Sequence, residues 1–115
     1  MKKIYHLSTC NTCQKVIAAL GGGKDFVLQD IKFEKITPAQ LDEMHALTGS
    51  YEALFSRRAM KFRSLGLADK QLSEEDYRAL ILEEYTFLKR PVILINGRIF
   101  MGSSKKMIEE VAALV

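Results

Sequence analysis

The chain has 115 residues, 48% hydrophobic and 27% charged, which suits one soluble domain and excludes a disordered or low-complexity protein. Two prolines and seven glycines are too few for a linker. A domain this size buries roughly two-thirds of the surface its unfolded chain exposes, so it needs no staple. Seventeen basic and fourteen acidic residues leave a formal charge of +3. With no Lys/Arg-rich block, that argues against direct nucleic-acid binding. The opening Met1-Lys2-Lys3 is basic, but no long apolar run follows as a signal peptide or membrane span requires. A cytoplasmic, membrane-free protein is expected.

In chain order, Lys3 to Leu7 reads as a short strand that stops at Ser8-Thr9. From Thr12 the spacing of Val16, Ile17, Ala19 and Leu20 is helical, and Gly21-Gly22-Gly23 ends that helix. Phe26 to Ile31 is a second strand. Thr37-Pro38 opens a helix, with a capping hydroxyl and a proline at the first helical position. Its apolar residues are Leu41, Met44 and Leu47, and Gly49 lies just beyond its end. Shorter helical pieces cover Tyr51 to Phe55 and Ala59 to Leu65. Ser73-Glu74-Glu75-Asp76 forms the acidic first turn of a helix with Tyr77, Leu80, Ile81 and Tyr85 as its stripe.

Pro91 to Ile95 is apolar throughout, like a buried strand. Asn96-Gly97 supplies the two positive-φ residues of a type I′ turn, and Arg98 to Met101 returns as the partner strand. Ser103 or Ser104 caps a last helix facing the core through Met107, Ile108, Val111 and Leu114. Met44, Met60, Met101 and Met107 read as core filling. A β-α-β unit, a helical insertion and a β-β-α unit make an α/β fold with a mixed sheet.

Both cysteines lie in Cys10-Asn11-Thr12-Cys13, where the first strand gives way to the first helix. Unpaired N–H groups and partial positive charge at a helix start favour thiolate over thiol, so Cys10 should ionise more readily than a free cysteine. Cys13, one turn later, is within reach of a mixed disulfide on Cys10 and would resolve it. Three readings compete. A disulfide across two residues closes too small a loop to stabilise much. Half a zinc site would have only His6 and His45 to complete it. The third is a pair of merely buried cysteines. C-x-x-C beside a βαβ pattern is the thioredoxin-like signature, and it favours redox chemistry.

Arg90 enters the third strand directly before Pro91, a candidate for a cis bond that would expose backbone beside the cysteine loop. Its guanidinium, facing Cys10, would stabilise the thiolate or grip an oxyanion. Arg57 and Arg58 stand in the most basic stretch, Phe55 to Arg63, where a solvated helix face competes with an anion-binding role. His6 reads as a strand residue and His45 as a surface residue, neither with a catalytic task.

With Cys10-Asn11-Thr12-Cys13-Gln14, Arg58, Leu65-Gly66-Leu67 and Arg90-Pro91 in place, the chain resembles the arsenate reductase-like family. That family joins the glutaredoxin-coupled arsenate reductases to the Spx-type regulators. The resemblance covers essentially the whole chain. It implies one thioredoxin-like domain over residues 1–115, with a helical insertion at about 37–88. It makes Cys10 the nucleophile, Pro91 the cis-proline, and Arg90 and Arg58 the active-site arginines, with Arg57 a substitute for Arg58. Asn11 and Thr12 fall in the active-site loop. The substrate would be a small oxyanion or an oxidised thiol. No bound cofactor or metal is implied, only an external reductant: glutathione, glutaredoxin or thioredoxin.

The sequence also departs from the arsenate reductases. They carry serine at the place of Cys13 and a third arginine after the hairpin, where this chain reads Phe100-Met101-Gly102-Ser103. Arg98 replaces that arginine only if its side chain points inward. The two-cysteine loop is closer to the Spx type, which implies a redox-sensing partner of the RNA polymerase α subunit. The insertion glycine that contact depends on matches Gly49 only one residue out of register.

Overall fold

The first strand, β1, is Lys2–His6, and the computed structural model describes residues 2–115. Helix α1 follows at Asn11–Ala19. It gives way to a turn at Gly21–Gly23 in which all three glycines have positive φ. That is backbone only glycine adopts without strain, so the run of three stops the helix. Strand β2, Val27–Asp30, pairs parallel to β1. The insertion carries α2 at Pro38–Thr48, α3 at Met60–Ser64 and α4 at Glu74–Glu83. Strands β3, Val92–Ile95, and β4, Arg98–Met101, form the hairpin, and α5, Lys105–Leu114, ends the chain.

The strands make one mixed sheet in the order β2-β1-β3-β4, with β3 antiparallel to both β1 and β4. Asn96 and Gly97 have φ of 51° and 76°, as the type I′ reading requires. Val92 to Ile95 are all buried. On one side of the sheet Ile4, Ile93 and Ile95 pack with Val16 and Ile17 of α1 and Val111 of α5. Each fully buried side chain of this size contributes about 1.5–3 kcal/mol. Leu7 is buried but lies beyond the end of β1. Ser104, not Ser103, caps α5, its hydroxyl accepting from the Met107 N–H at 3.1 Å.

The chain divides into two compact units. One holds the sheet, α1 and α5; it runs up to Lys35 and resumes from Arg90 to Val115. The other is the insertion, Ile36–Lys89. Inside the insertion, Phe55 stacks on Phe87 at 5.0 Å between ring centres and meets Tyr77 at 4.9 Å. Leu41, Met44, Leu54, Ile81 and Leu88 are fully buried.

Three expectations about the insertion fail, the first at Tyr85, which lies beyond the last residue of α4 rather than on its stripe. Met60 is 89% exposed rather than core filling. The inward position of the five-residue α3 belongs to Phe62, edge-on to Phe55 at 5.9 Å. Two residues correspond to roughly 200° around a helix, which turns Met60 outward. Leu47 continues the spacing of Leu41 and Met44 yet is 41% exposed. It lies in the last turn of α2, just before Gly49 ends the helix with φ of 76°.

Candidate active site

From the end of β1 the chain makes a tight turn into α1, and the Cys10 N–H donates to the Leu7 carbonyl at 3.1 Å. Cys10 is the N-cap of α1, with extended backbone (φ −94°, ψ 113°) and no capping hydrogen bond from its side chain. The first N–H groups of a helix have no partner within it, and those of Thr12 and Cys13 act on the sulfur of this residue. Cys10 is partly exposed, Cys13 is fully buried, and both are free thiols.

The two thiols ionise differently. Partial burial alone would push the Cys10 thiol up. It is outweighed by the Cys13 N–H, the Cys13 thiol, the charge of Arg90 and the Thr12 N–H, so Cys10 lies below its ordinary value. Burial pushes the Cys13 thiol up to about 11, and the Cys10 sulfur adds to the rise. A backbone hydrogen bond from Leu7 and the charge of Arg90 pull the other way without prevailing. The pair therefore divides its roles: Cys10 is the thiol that ionises more readily, and Cys13 is the one held protonated.

Arg90 acts on both sulfurs and precedes a cis peptide bond to Pro91. Pro91 is buried, and its carbonyl accepts from the Gly102 N–H at 3.1 Å. The sheet unit thus brings together Cys10, Cys13, Thr12 and Arg90, while Asn11 sits exposed at the first position of α1.

The other two arginines belong to the insertion. Arg57 is held by Glu52 at 2.7 Å and by the Tyr77 hydroxyl at 3.0 Å. Arg58 is exposed and makes no ion pair among the described residues. Arg98 is exposed on β4, its guanidinium 5.0 Å from the Phe100 ring. His6 is buried in β1 with Nδ1 unpaired, and His45 stacks on Tyr51. Among the described residues no three His, Cys, Asp or Glu side chains gather to hold a metal ion. Among the described residues no helix is long and apolar enough to cross a membrane.

Two residues that sequence reasoning left without a task hold the loop. The Asp30 carboxylate, at the end of β2, accepts from the Ser8 N–H at 3.2 Å and the Lys32 N–H at 3.1 Å. Partial burial would raise its pKa, but hydrogen bonds from Ser8 and Lys32 and the charge of His6 lower it. From α1, Gln14 Nε2 donates to the Ser8 carbonyl at 3.2 Å and to the Leu7 carbonyl at 3.4 Å. An aspartate closing a strand before a turn is a local signal for such bonds. Its reach across to Ser8 has no local signal.

The sequence profile of the ArsC family matches residues 5–111. The chain belongs to the ArsC family. Its relatives include the global transcriptional regulator Spx 2 of Bacillus cereus, 27% identical over 110 residues, covering 93% of this chain and 83% of the regulator. The solved arsenate reductase from Vibrio cholerae superposes with a TM-score of 0.80 at 21% identity, covering 99% of this chain and 97% of the other. A possible arsenate reductase from Streptococcus mutans gives 0.77 at 25% identity, covering 96% and 97%. The fold of this ArsC-family chain is thioredoxin-like, in the α/β class. The proteins similar to this one thus include an Spx regulator by sequence and an arsenate reductase by fold.

Proposed function

We propose that this ArsC-family chain is a small cytoplasmic thiol–disulfide oxidoreductase, with Cys10 as nucleophile and Cys13 as resolving thiol. The observation that carries the reading is the split between the two sulfurs: Cys10 lowered at a helix N-cap, Cys13 buried and held protonated. With an oxidised thiol RSSR′, the Cys10 thiolate attacks one sulfur and the R′ thiolate leaves. Cys13 then loses its proton to solvent and attacks Cys10. The Cys10–Cys13 disulfide forms, and the second thiolate departs. Adduct formation removes the Cys10 charge, one of the causes that keep Cys13 protonated. The first step therefore eases the second.

With an oxyanion such as arsenate, the Cys10 sulfur bonds to the central atom and water leaves. Attack by Cys13 or an external thiol on the Cys10 sulfur leaves the bonding pair on that atom, reducing it by two electrons. Arg90, whose charge acts on the Cys10 sulfur within the same unit, is assigned to hold the anion. The resulting disulfide needs an external reductant: glutathione, glutaredoxin or thioredoxin.

The test is mass spectrometry after arsenate, peroxide or glutathione disulfide, combined with reductase assays on the three reductants. An adduct on Cys10 followed by loss of two hydrogens across Cys10 and Cys13 supports the reading. A Cys10 that titrates like free cysteine, with no turnover on any reductant, rejects it.

The two-cysteine loop and the likeness to an Spx regulator favour one alternative, a redox sensor that binds the RNA polymerase α subunit. Pull-down with that subunit under oxidising and reducing conditions separates the two. Absence of binding in both states removes the sensor reading.

A further inference from the structure

We propose that Asp30 and Gln14 are positioning residues that clamp the Ser8 peptide from opposite sides and thereby hold Cys10 at the start of α1. The proposal rests on the reading of Cys10 as the nucleophile.

Ser8 and Thr9, the two residues between β1's last buried neighbour Leu7 and Cys10, are both exposed. No apolar burial fixes them, so polar ties must hold the turn. Beyond the Leu7 carbonyl to Cys10 N–H bond, those ties include the Asp30 carboxylate, which accepts from the Ser8 N–H and from the Ser8 side chain, and the Gln14 amide, which donates to the Ser8 and Leu7 carbonyls. One jaw comes from β2, whose residue 30 lies in register with His6. The other comes from the first turns of α1 itself. Both ends of one peptide-bearing residue are therefore anchored, to the sheet and to the helix the thiolate depends on.

Geometry matters here because hydrogen bonds weaken steeply with misalignment. Cys10 is stabilised by the N–H groups of Thr12 and Cys13, so letting Ser8 swing moves the sulfur off those donors. The charge of Asp30 works in the opposite sense, since a nearby negative group disfavours a thiolate. The two possible roles of Asp30 thus have opposite signs, and an experiment reads the sign.

The measurement is the pH dependence of Cys10 alkylation by iodoacetamide in the full chain carrying Cys13→Ser, so that one thiol is counted. Asp30→Ala is expected to move the midpoint upward and to slow alkylation at neutral pH by roughly three- to tenfold. Asp30→Asn, which keeps an acceptor for the Ser8 N–H, restores at least half of the loss. Gln14→Ala, at an exposed helix position that tolerates alanine, moves the midpoint the same way by less. Ser8→Pro presets the turn without needing the N–H. Added to Asp30→Ala, it recovers the rate.

An unchanged or lowered midpoint in Asp30→Ala overturns the clamp, as does an equal shift in Asp30→Ala and Asp30→Asn. Should Asp30→Ala fail to fold, an unmoved midpoint in Gln14→Ala overturns it instead. A reference protein whose own midpoint is that of free cysteine rejects the oxidoreductase reading. A low reference midpoint that the clamp variants leave in place rejects the clamp alone.

Discussion

Three helices of this protein begin on a hydroxyl residue, and α1 begins on a cysteine. Thr37 caps α2 by accepting from the Gln40 N–H at 3.1 Å, while the Gln40 side chain accepts from the Thr37 N–H at 3.1 Å. Ser73 and Asp76 do the same for α4, and Ser104 caps α5. Cys10 makes no side-chain cap, and the first turn of α1 holds no acidic residue, whereas that of α4 holds Glu74, Glu75 and Asp76. The capped ends use their free N–H groups for stability. The end of α1 leaves them for a thiolate; the five-residue α3, which begins after Ala59, is uncapped as well but carries no thiol. A good N-cap stabilises a helix by about 1 kcal/mol, so this stability is forgone at the one helix start that carries the proposed chemistry.

The sharpest way to break the comparison is to make α1 resemble the others. Cys10→Ser is expected to lower thiol-dependent turnover by roughly 10³-fold or more. The same change raises unfolding stability by about 0.5–1 kcal/mol, because serine caps where cysteine does not. Steady-state assay and urea melts on one preparation read both. A loss of activity with a matching loss of stability would show that α1 has no latent capping deficit. Cys13→Ser, next in size, is expected to retain the first attack and to accumulate a mixed disulfide on Cys10, visible by mass spectrometry. Its turnover falls by about tenfold or more unless an external thiol resolves the adduct.

Importing the acidic first turn of α4 is a gentler change. Asn11→Glu places a carboxylate at the first position of α1, favourable to the helix by about 0.3–1 kcal/mol and unfavourable to the thiolate. Alkylation of Cys10 at neutral pH is expected to slow by about three- to tenfold as its midpoint rises. An unchanged midpoint would mean that the helix start contributes little to the ionisation of Cys10.

The cysteine end was far more legible in the sequence than the ties that hold it. Two cysteines at a strand-to-helix junction announce themselves, because spacing along one helix is local information. Thr37-Pro38, Asn96-Gly97 and Ser73-Glu74-Glu75-Asp76 were readable for the same reason: capping and turn chemistry act over two to four residues. Met60 and Leu47 show where such reading stops. Which face of a short helix turns inward depends on distant partners, here Phe55, and no periodicity within five residues encodes it. Asp30 gripping Ser8 from 22 residues away belongs to the same class. The arginines divide the same way: Arg90 stands directly before Pro91 in the sequence, while the engagement of Arg57 by Glu52 emerges only from the folded insertion.

The smallest expected effect lies within the capped class and separates its two boxes. The α2 box closes on Gln40, which carries no charge, whereas the α4 box closes on Asp76. The Ser73 backbone N–H, then the Ser73 side chain, hold the Asp76 carboxyl below its ordinary value of 3.8, against a slight opposing effect of burial. A carboxylate with a depressed folded pKa stabilises fully above the unfolded value. That contribution disappears as pH falls through 3.8 and on through the lower folded value. The stability gap between the reference chain and Asp76→Asn should therefore be present at pH 7 and close progressively in acid. The gap for Thr37→Ala, which removes an uncharged cap, should stay near about 1 kcal/mol over the same range. Thermal melts at a series of pH values read both gaps on one protein. A gap for Asp76→Asn that ignores pH would show that the α4 box holds by geometry alone. In that case its difference from α1 lies in the hydroxyl and not in the charge.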